Sequence, residues 1–237
     1  MAEYLAMTLE DEQAHAAQSP KAMSELIETS ATYADGLRHA GRLKDSGRLR
    51  PSKEGKRVRR EADRLEVGDG PFAEEGKALG GYYWVEASSF DEAVELASKA
   101  PVLPTEEIDV RPVMKGMCPK DKEAKPGKIF ACAVLGSTKT EEAWVEVMDR
   151  IDEETRGRFP EASFLGGLRL EPPSRGRRIV THGERRAMLD GPFLESKEVI
   201  GGLFFVRMRS IDEAVRWAAE TPFVVHGALE IRELWRT

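Results

Sequence analysis

The chain contains the same segment twice. Residues 69–113 align without a gap with residues 190–234, at a constant offset of 121 positions and with 16 identical residues in 45. The shared strings include DGPF, a Gly-Gly pair and DEAV. A period of this length is far above the roughly 20 to 50 residues of solenoid repeats and matches the size of a whole domain. The sequence therefore predicts two copies of one domain, fused head to tail.

The predicted boundaries follow from this period. The first copy is expected at residues 1–115, a linker at 116–127 and the second copy at 128–237. The linker is rich in Lys, Pro and Gly, a composition that resists burial. In the second copy, the first helix is predicted to begin at Ser137 or Thr138.

Each copy shows the same predicted order of elements: strand, helix, strand, hairpin, strand, helix, strand. Ser19-Pro20 predicts the start of the first helix and Gly41 its end. Ser89 and Ser210, each followed three residues later by glutamate, predict capping boxes for the second helix of each copy. This order indicates two ferredoxin-like α+β domains with helices on one sheet face. Because the other face must also be buried, we expect the two sheets to pack together as a fused barrel.

Composition limits the classes of partner. A net charge of −6 and a pI of about 5.5 disfavour nucleic acid. The sequence lacks an apolar run near the roughly 18 residues that span a bilayer, and it lacks a basic-then-apolar leader, so we expect a cytoplasmic protein without a membrane partner. Cys118 and Cys132 give neither a disulfide framework nor a metal-ligand spacing, and the histidines are scattered. The sequence predicts no metal site and no cofactor.

Two segments depart from the acidic average. Residues 48–64 and 169–186 are rich in Lys and Arg, and both coincide with the predicted hairpins. Such charges either keep an edge strand from pairing with other chains or bind a polyanion or phosphate.

Several motifs resemble the YCII-related family, in particular its DGPF branch. They are DGPFAE at 69–74, GGYY at 80–83, DEAVELA at 91–97 and DVRPV at 109–113, and in the second copy DGPFLESKE at 190–198, GG at 201–202 and EIR at 230–232. Members of that family adopt ferredoxin-like folds that pair sheet to sheet as dimeric α/β barrels. The resemblance implies a fused pseudo-dimer of that kind, either monomeric or associated further as a homodimer.

The resemblance also implies functions. Some relatives carry a histidine on the first helix opposite the aspartate of the DGPF-equivalent loop, and this pair has been proposed as a catalytic dyad similar to that of isomerases. Here the only histidine of the first helix in the first copy is His39, at its end. The DGPF branch is often encoded beside alternative sigma factors, which implies a regulatory association and a sigma-factor-related partner.

The aspartates of the DGPF motifs are the candidate catalytic residues. Asp69 and Asp190 are each positioned as a general base at a pocket mouth, or as turn formers whose side chains accept backbone amides. Arg111 and Arg232 on the last strands are candidates to clamp a ligand carboxylate or phosphate. The alternative is an ion pair of each arginine with the nearby aspartate, which would lower the pKa of the aspartate and make the pair structural.

Three further residues are candidate ligand contacts. Glu195 and Lys197 follow the DGPF motif of the second copy, and the first copy has no lysine at the matching place. The copies have diverged at this loop, so two pockets lined by it would not bind the same ligand equally. Tyr82 lies in an aromatic segment of a central strand, where it either fills the core or contacts a ligand.

Three functions remain open at this point. The first is a regulatory or stress-related protein that binds a small apolar or anionic molecule between its two sheets. The second is a cofactor-independent isomerase or lyase with Asp69 or Asp190 as base and Arg111 or Arg232 holding an acidic substrate. The third is a protein-interaction module that contacts a transcription factor through its basic hairpins.

Overall fold

The structure, a computed structural model, describes residues 1–62, 64–70, 77–119, 126–136, 145–146, 149–150, 163–183, 185–190 and 199–235. The strands in these ranges are β1 (Ala2–Asp11), β2 (Leu43–Leu49), β3 (Lys56–Glu61), β4 (Arg64–Asp69), β5 (Lys77–Ala87), β6 (Glu107–Met117), β7 (Lys128–Gly136), β8 (Phe164–Leu170), β9 (Arg177–His182), β10 (Arg185–Asp190), β11 (Val199–Met208) and β12 (Ala228–Trp235). The helices with assigned bounds are α1 (Glu12–Ala16), α2 (Pro20–His39), α3 (Phe90–Ala97), α4 (Ile211–Ala219) and α5 (Phe223–His226). Within the described ranges, no helix combines the length and the hydropathy needed to cross a membrane.

Strands of both copies close into one antiparallel barrel of eight strands. Their order is β1-β5-β2-β12-β7-β11-β8-β6, and β6 pairs again with β1. The copies join at two seams, where Leu49 of β2 lies opposite Leu234 of β12 and Val113 of β6 lies opposite Leu170 of β8. The two pairs are related by the 121-residue offset of the repeat. The predicted duplication and fused barrel are therefore confirmed.

The interior of the barrel is filled by apolar side chains. Alternation along each strand points one set of residues inward, including Leu5 on β1, Trp84 on β5 and Phe205 on β11, all fully buried. The opposite face of the first copy's sheet packs beneath α2 and α3, and that of the second copy beneath α4 and α5. The duplicated sequence thus builds one shared core and two outer cores.

Each hairpin packs on the other copy. The β3–β4 hairpin of the first copy pairs with β12, and the β9–β10 hairpin of the second copy pairs with β6. Val58 is fully buried against the second copy's helices, while Ile179, its equivalent at the repeat offset, is fully buried in the first copy. The halves are therefore interlocked by two exchanged hairpins.

The start signals of the helices are mostly where the sequence predicts them. The side chain of Ser19 accepts a hydrogen bond from the Ala22 amide, and Gly41 after the helix has φ of 66°. Ser89 accepts from the Glu92 amide at 3.1 Å, but the Glu92 carboxylate accepts from the amide of Ser88 rather than of Ser89. The capping glutamate thus reaches one residue further back than a reciprocal box predicts. Ser137 and Thr138 lie outside the described residues.

One helix is unexpected. The predicted order of elements has no helix between the first strand and the helix that starts at Ser19-Pro20, but residues 12–16 form α1, with Asp11 as N-cap accepting from the amides of Gln13 and Ala14. This short helix folds back against the end of β1. As a consequence it carries His15 toward the sheet of the first copy.

Candidate functional site

A cavity of about 440 Å3 lies between α2 and the outer face of the sheet in the first copy. The side of α2 contributes Leu26, Ile27 and Ala31, and Val102 lines the cavity from the segment after α3. The prediction placed a ligand cavity between the two sheets. The space between the sheets is instead occupied by the apolar core, so this cavity lies on the opposite face of the sheet.

Four ionisable side chains meet beside this cavity, and three of them, Glu10, Arg48 and Glu106, line it. Nε2 of His15 contacts Oε1 of Glu106 and lies 3.7 Å from Oε2 of Glu10. Nη2 of Arg48 lies 3.3 Å from Nδ1 of His15 and 3.8 Å from Oε1 of Glu10. The side chains of Glu10 and Glu106 are only 16% and 2% exposed. We refer to Glu10, His15, Arg48 and Glu106 as the cavity cluster.

Burial and mutual contact shift the titration of this cluster. Burial raises the pKa of Glu10, an effect that the charges of Arg48 and His15 only partly offset. Burial by itself lowers the pKa of His15, but the hydrogen bond to Glu106 and the charge of Glu10 outweigh it, so that the pKa rises. The cluster consequently holds a proton more tightly than isolated side chains would.

The cavity wall carries more acidic than basic groups. Glu10, Asp35, Asp45 and Glu106 line it on the acidic side, against Arg38 and Arg48. Tyr82, a predicted ligand contact, lines the cavity and donates its hydroxyl to Oδ2 of Asp45 at 2.7 Å. Its ring also belongs to the barrel core, so both roles foreseen for Tyr82 are structurally compatible.

Gly80 gives the Glu10 side chain its place. A Cβ at Gly80 would lie 1.9 Å from Cδ of Glu10, so a larger residue here would displace the Glu10 carboxylate from its present position. The Gly-Gly pair of the repeat therefore has a steric role at the site in the first copy.

The second copy lacks both carboxylates of the cavity cluster. Strand pairing places Gly136 at the position of Glu10, because Glu10 pairs with Ala78 and Gly136 pairs with Val199, which is related to Ala78 by the repeat offset. Glu106 corresponds to Gly227, where an added Cβ would lie 2.0 Å from the carbonyl oxygen of Leu135. The second copy therefore cannot carry a side chain at the position of Glu106.

The arginine of the cavity cluster has a counterpart in the second copy, but that arginine has different partners. Arg169 occupies the position of Arg48, since each pairs with the second glycine of the Gly-Gly motif. It donates to Oδ1 of Asp149 at 2.5 Å and to the carbonyl oxygen of Val145 at 3.0 Å. In the second copy this arginine therefore binds other groups of the chain and does not belong to a cluster like that of the first copy.

The predicted catalytic aspartates lie on the exchanged hairpins. Asp69 contacts Lys56, its cross-strand neighbour, and Asp190 accepts from Nε of Arg177 at 2.7 Å. Their side chains are 78% and 79% exposed, and neither lines the described cavity. No described contact brings either aspartate to the predicted arginine partner.

The predicted ligand-binding arginines are buried between the copies. Arg111 donates to the carbonyl oxygens of Glu171 at 2.9 Å and Ile200 at 2.6 Å, both in the second copy. Arg232 donates to the carbonyl oxygen of Arg50 in the first copy at 2.7 Å. Glu171 and Arg50 are equivalent at the repeat offset, so the two arginines form matching bonds across the two seams.

The other predicted features divide between described and undescribed residues. Glu195 and Lys197 lie outside the part of the chain that the structure describes.

The basic hairpins are partly paired within the chain: Arg57 binds Glu230 at 3.0 Å, and Arg60 donates to the last carbonyl of α4, on Ala219, at 3.1 Å. Arg186 donates likewise to carbonyl oxygens just after α3, including that of Ala100. These cations stabilise the exchanged hairpins.

Sequence reasoning missed Glu10, His15 and Glu106. They come from the end of β1, from α1 and from the residue before β6, and His15 and Glu106 are 91 positions apart. One signal was available: a comparison of the two copies shows Glu106 aligned with Gly227. A charged residue that occurs at a given position in only one copy of a duplicated domain indicates that the position has a role in that copy alone.

The fold and the site define a fused α/β barrel with a cavity under α2 of its first copy. The family model of the YCII-related domain matches residues 4–116 and 139–237, so the chain belongs to this family. No curated protein matches the sequence. Among solved structures, an anthrone oxidase-like protein is similar, with 10% sequence identity and a TM-score of 0.44 over 100% of this chain and 92% of that chain.

Proposed function

We propose that this protein binds a small organic molecule in the cavity beneath α2, as a regulatory or stress-related protein of the cytoplasm. The observation that carries the proposal is a cavity of about 440 Å3 whose wall includes the buried Glu106 and the partly buried Glu10 and Arg48, which come from separate elements. Volumes of about 300 to 1,000 Å3 are usual for ligand pockets, as is an apolar wall with a few convergent polar groups. Burying such a cluster costs free energy, and a binding role accounts for its presence.

The wall supports a ligand with an apolar body and one polar end. Leu26, Ile27 and Val102 offer contacts to the apolar body, and the cavity cluster offers contacts to the polar end. An anionic end has a weaker case, because four lining carboxylates face only two guanidinium groups. We infer a neutral polar end rather than a free carboxylate.

The proposal assigns one ligand to each chain. Gly136 and Gly227 replace the two glutamates in the second copy, and Arg169 there binds Val145 and Asp149. We therefore propose different roles for the two copies: the first binds the ligand, and the second completes the barrel.

We also propose that each copy is a ferredoxin-like domain. The strand orders β6-β1-β5-β2 and β12-β7-β11-β8 support this assignment, because each is the order 4-1-3-2 when the strands of a copy are numbered without its hairpin. In this arrangement the cavity lies between α2 and the sheet of the first copy. The catalytic role of Asp69 and Asp190 in an isomerase or lyase stays a prediction, and their exposure on the hairpins gives it no added support.

A thermal-shift screen with matched variants tests the binding proposal. Purified protein is melted against a library of small amphipathic metabolites, together with Ala31→Phe and Thr32→Phe. Ala31 lines the cavity, whereas Thr32, the next residue of α2, is exposed, so only the first substitution fills the site. A ligand at about 100 times its Kd adds roughly 2.7 kcal/mol, or about 5 to 10 °C for a chain of this size.

The expected result is a compound that stabilises the wild type and Thr32→Phe but not Ala31→Phe. Equal stabilisation of all three proteins would place the ligand elsewhere and refute the proposed cavity. A library with no stabilising compound would refute the binding proposal for the ligand class described above.

A further inference from the structure

We propose that Glu10, His15 and Glu106 form a binding site for one divalent transition-metal ion of the zinc type. One imidazole and two carboxylates are a donor set that such ions accept. The three donor atoms lie within 4.8 Å of one another, and they come from β1, α1 and the segment before β6. This site goes beyond the binding of an organic molecule and does not depend on it.

The ring nitrogen of His15 is directed at both carboxylates. Nε2 contacts Oε1 of Glu106 and lies 3.7 Å from Oε2 of Glu10. Two ligand atoms of a tetrahedral zinc ion lie about 3.4 Å apart, given bonds of about 2.1 Å. The spacing of His15 and Glu10 is thus close to that of a ligand pair. An opening of the contact between His15 and Glu106 would bring this pair to the same spacing.

The two carboxylates differ in how they are held. Oε2 of Glu106 accepts from the Leu103 amide at 2.7 Å, which fixes the carboxylate and leaves Oε1 toward His15. The Glu10 carboxylate accepts no hydrogen bond from any described residue; it forms longer ion pairs, 3.7 Å to Nε2 of His15 and 3.8 Å to Nη2 of Arg48, and its side chain is 16% exposed. A bound cation would give this largely buried carboxylate a closer positive partner. Gly80 keeps the space that this carboxylate occupies.

Arg48 determines what must rearrange when the ion binds. Ligation through Nε2 leaves the His15 proton on Nδ1, which then no longer accepts from Nη2 of Arg48. Oε1 of Glu10, 3.8 Å from the same Nη2, is the alternative acceptor. The guanidinium would therefore turn from the imidazole to the outer oxygen of Glu10. The open cavity beside the cluster leaves room for water or a ligand oxygen to complete the coordination.

The experiment uses the metal alone. Chelator-treated, full-length protein is titrated with Zn2+ by calorimetry, and with Co2+ while visible absorption is recorded. The ligand variants are Glu10→Gln, His15→Gln and Glu106→Gln. The matched controls are Glu107→Gln, which removes the neighbouring carboxylate paired with Lys77 and Arg178, and His39→Gln, which removes an exposed imidazole.

We expect one Zn2+ per wild-type chain with a Kd in the micromolar range or tighter, and a Co2+ absorption band. Each ligand variant should weaken Zn2+ binding at least about tenfold, whereas both controls should bind as the wild type does. Thermal melts verify that each variant is folded. If a glutamine variant is unfolded, Glu10→Asp replaces it, and its Co2+ band should shift.

Several results would overturn the metal site. These are a stoichiometry near zero, ligand variants that bind as tightly as the wild type, or controls that weaken binding as much as the ligand variants do. The organic-ligand screen in chelator distinguishes the two proposals. A compound that binds while Zn2+ does not refutes the metal site alone, and Zn2+ binding without any compound refutes only the organic ligand.

Discussion

Replacing Arg111 by methionine tests whether the buried arginines hold the two copies together. The substitution keeps a long unbranched side chain but removes the donors to the carbonyl oxygens of Glu171 and Ile200. Each buried acceptor left without a partner costs about 1 to 3 kcal/mol. Relief from burying a charge offsets part of this, since burial already lowers the pKa of Arg111 to about 10. We expect a net loss of about 2 to 4 kcal/mol.

The same substitution should make stability depend on pH. Burial raises the pKa of Asp109, and the charges of Arg111 and Arg178 oppose this, while Glu107 adds to it. Without Arg111, that pKa rises further. A carboxyl with a raised pKa in the folded state stabilises the fold below its unfolded pKa, and this contribution is lost as pH rises through the folded pKa. The deficit of the variant should therefore widen as pH rises above about 4, the ordinary pKa of an aspartate.

Urea unfolding of wild type and variant at several pH values measures both effects. Arg209→Met is the control, because Arg209 is 85% exposed and, among the described residues, forms an ion pair only with Glu213 one turn away, so a change within about 0.5 kcal/mol is expected. A loss below about 1 kcal/mol for Arg111→Met would refute the structural role. It would also reopen the alternative that Arg111 is a ligand-binding residue. A deficit that shrinks as pH rises would contradict the account of Asp109.

Three substitutions test other parts of the account. Gly36→Ala should stabilise the fold by about 0.5 to 1 kcal/mol in thermal melts, because the added Cβ meets nothing within 4 Å on α2; destabilisation would mean that the helix is wrongly placed. Val58→Ala should cost about 1 to 3 kcal/mol, since this fully buried side chain packs on the other copy, and an unchanged melting temperature would argue against the exchanged hairpin. Gly80→Ala should displace Glu10 and weaken Zn2+ binding at least about tenfold; wild-type affinity would show that Glu10 is not a ligand.

The barrel was predictable from the repeat, because strands that match between the two copies pair in matching ways. The 121-residue offset that aligns the two copies also relates the seam pair Leu49 and Leu234 to the seam pair Leu170 and Val113. An aromatic segment predicted a central strand, and Trp84 within it is fully buried. Local signals such as Ser19 and Gly41 were reliable because each acts on the backbone at its own position or within a few residues of it.

The exchange of hairpins was not predictable from local patterns. Val58 is an apolar residue within a basic segment, which indicates burial but not the copy against which it is buried. The same limit applies to Asp69, whose turn motif gave no indication that Lys56 is its cross-strand partner. Partner choice between two copies of one domain is decided by tertiary packing rather than by local sequence.

The cavity cluster was missed for a related reason. His15 lies in a segment too short to show helical periodicity, so α1 was not predicted. Glu106 lies at the end of a loop, 91 positions from His15, and nothing local relates the two. The alignment of the two copies could have identified Glu106, since Gly227 occupies its place in the second copy.

Methyl NMR of the protein with a compound from the thermal-shift screen tests the central claim most directly, because it locates the ligand. We expect shift changes at Leu26, Ile27 and Val102, which line the cavity beneath α2. Methyl groups of the barrel core, such as those of Leu5 and Leu170, should stay unchanged. Changes confined to the barrel core or to the second copy would contradict the assignment of the functional site to the first copy.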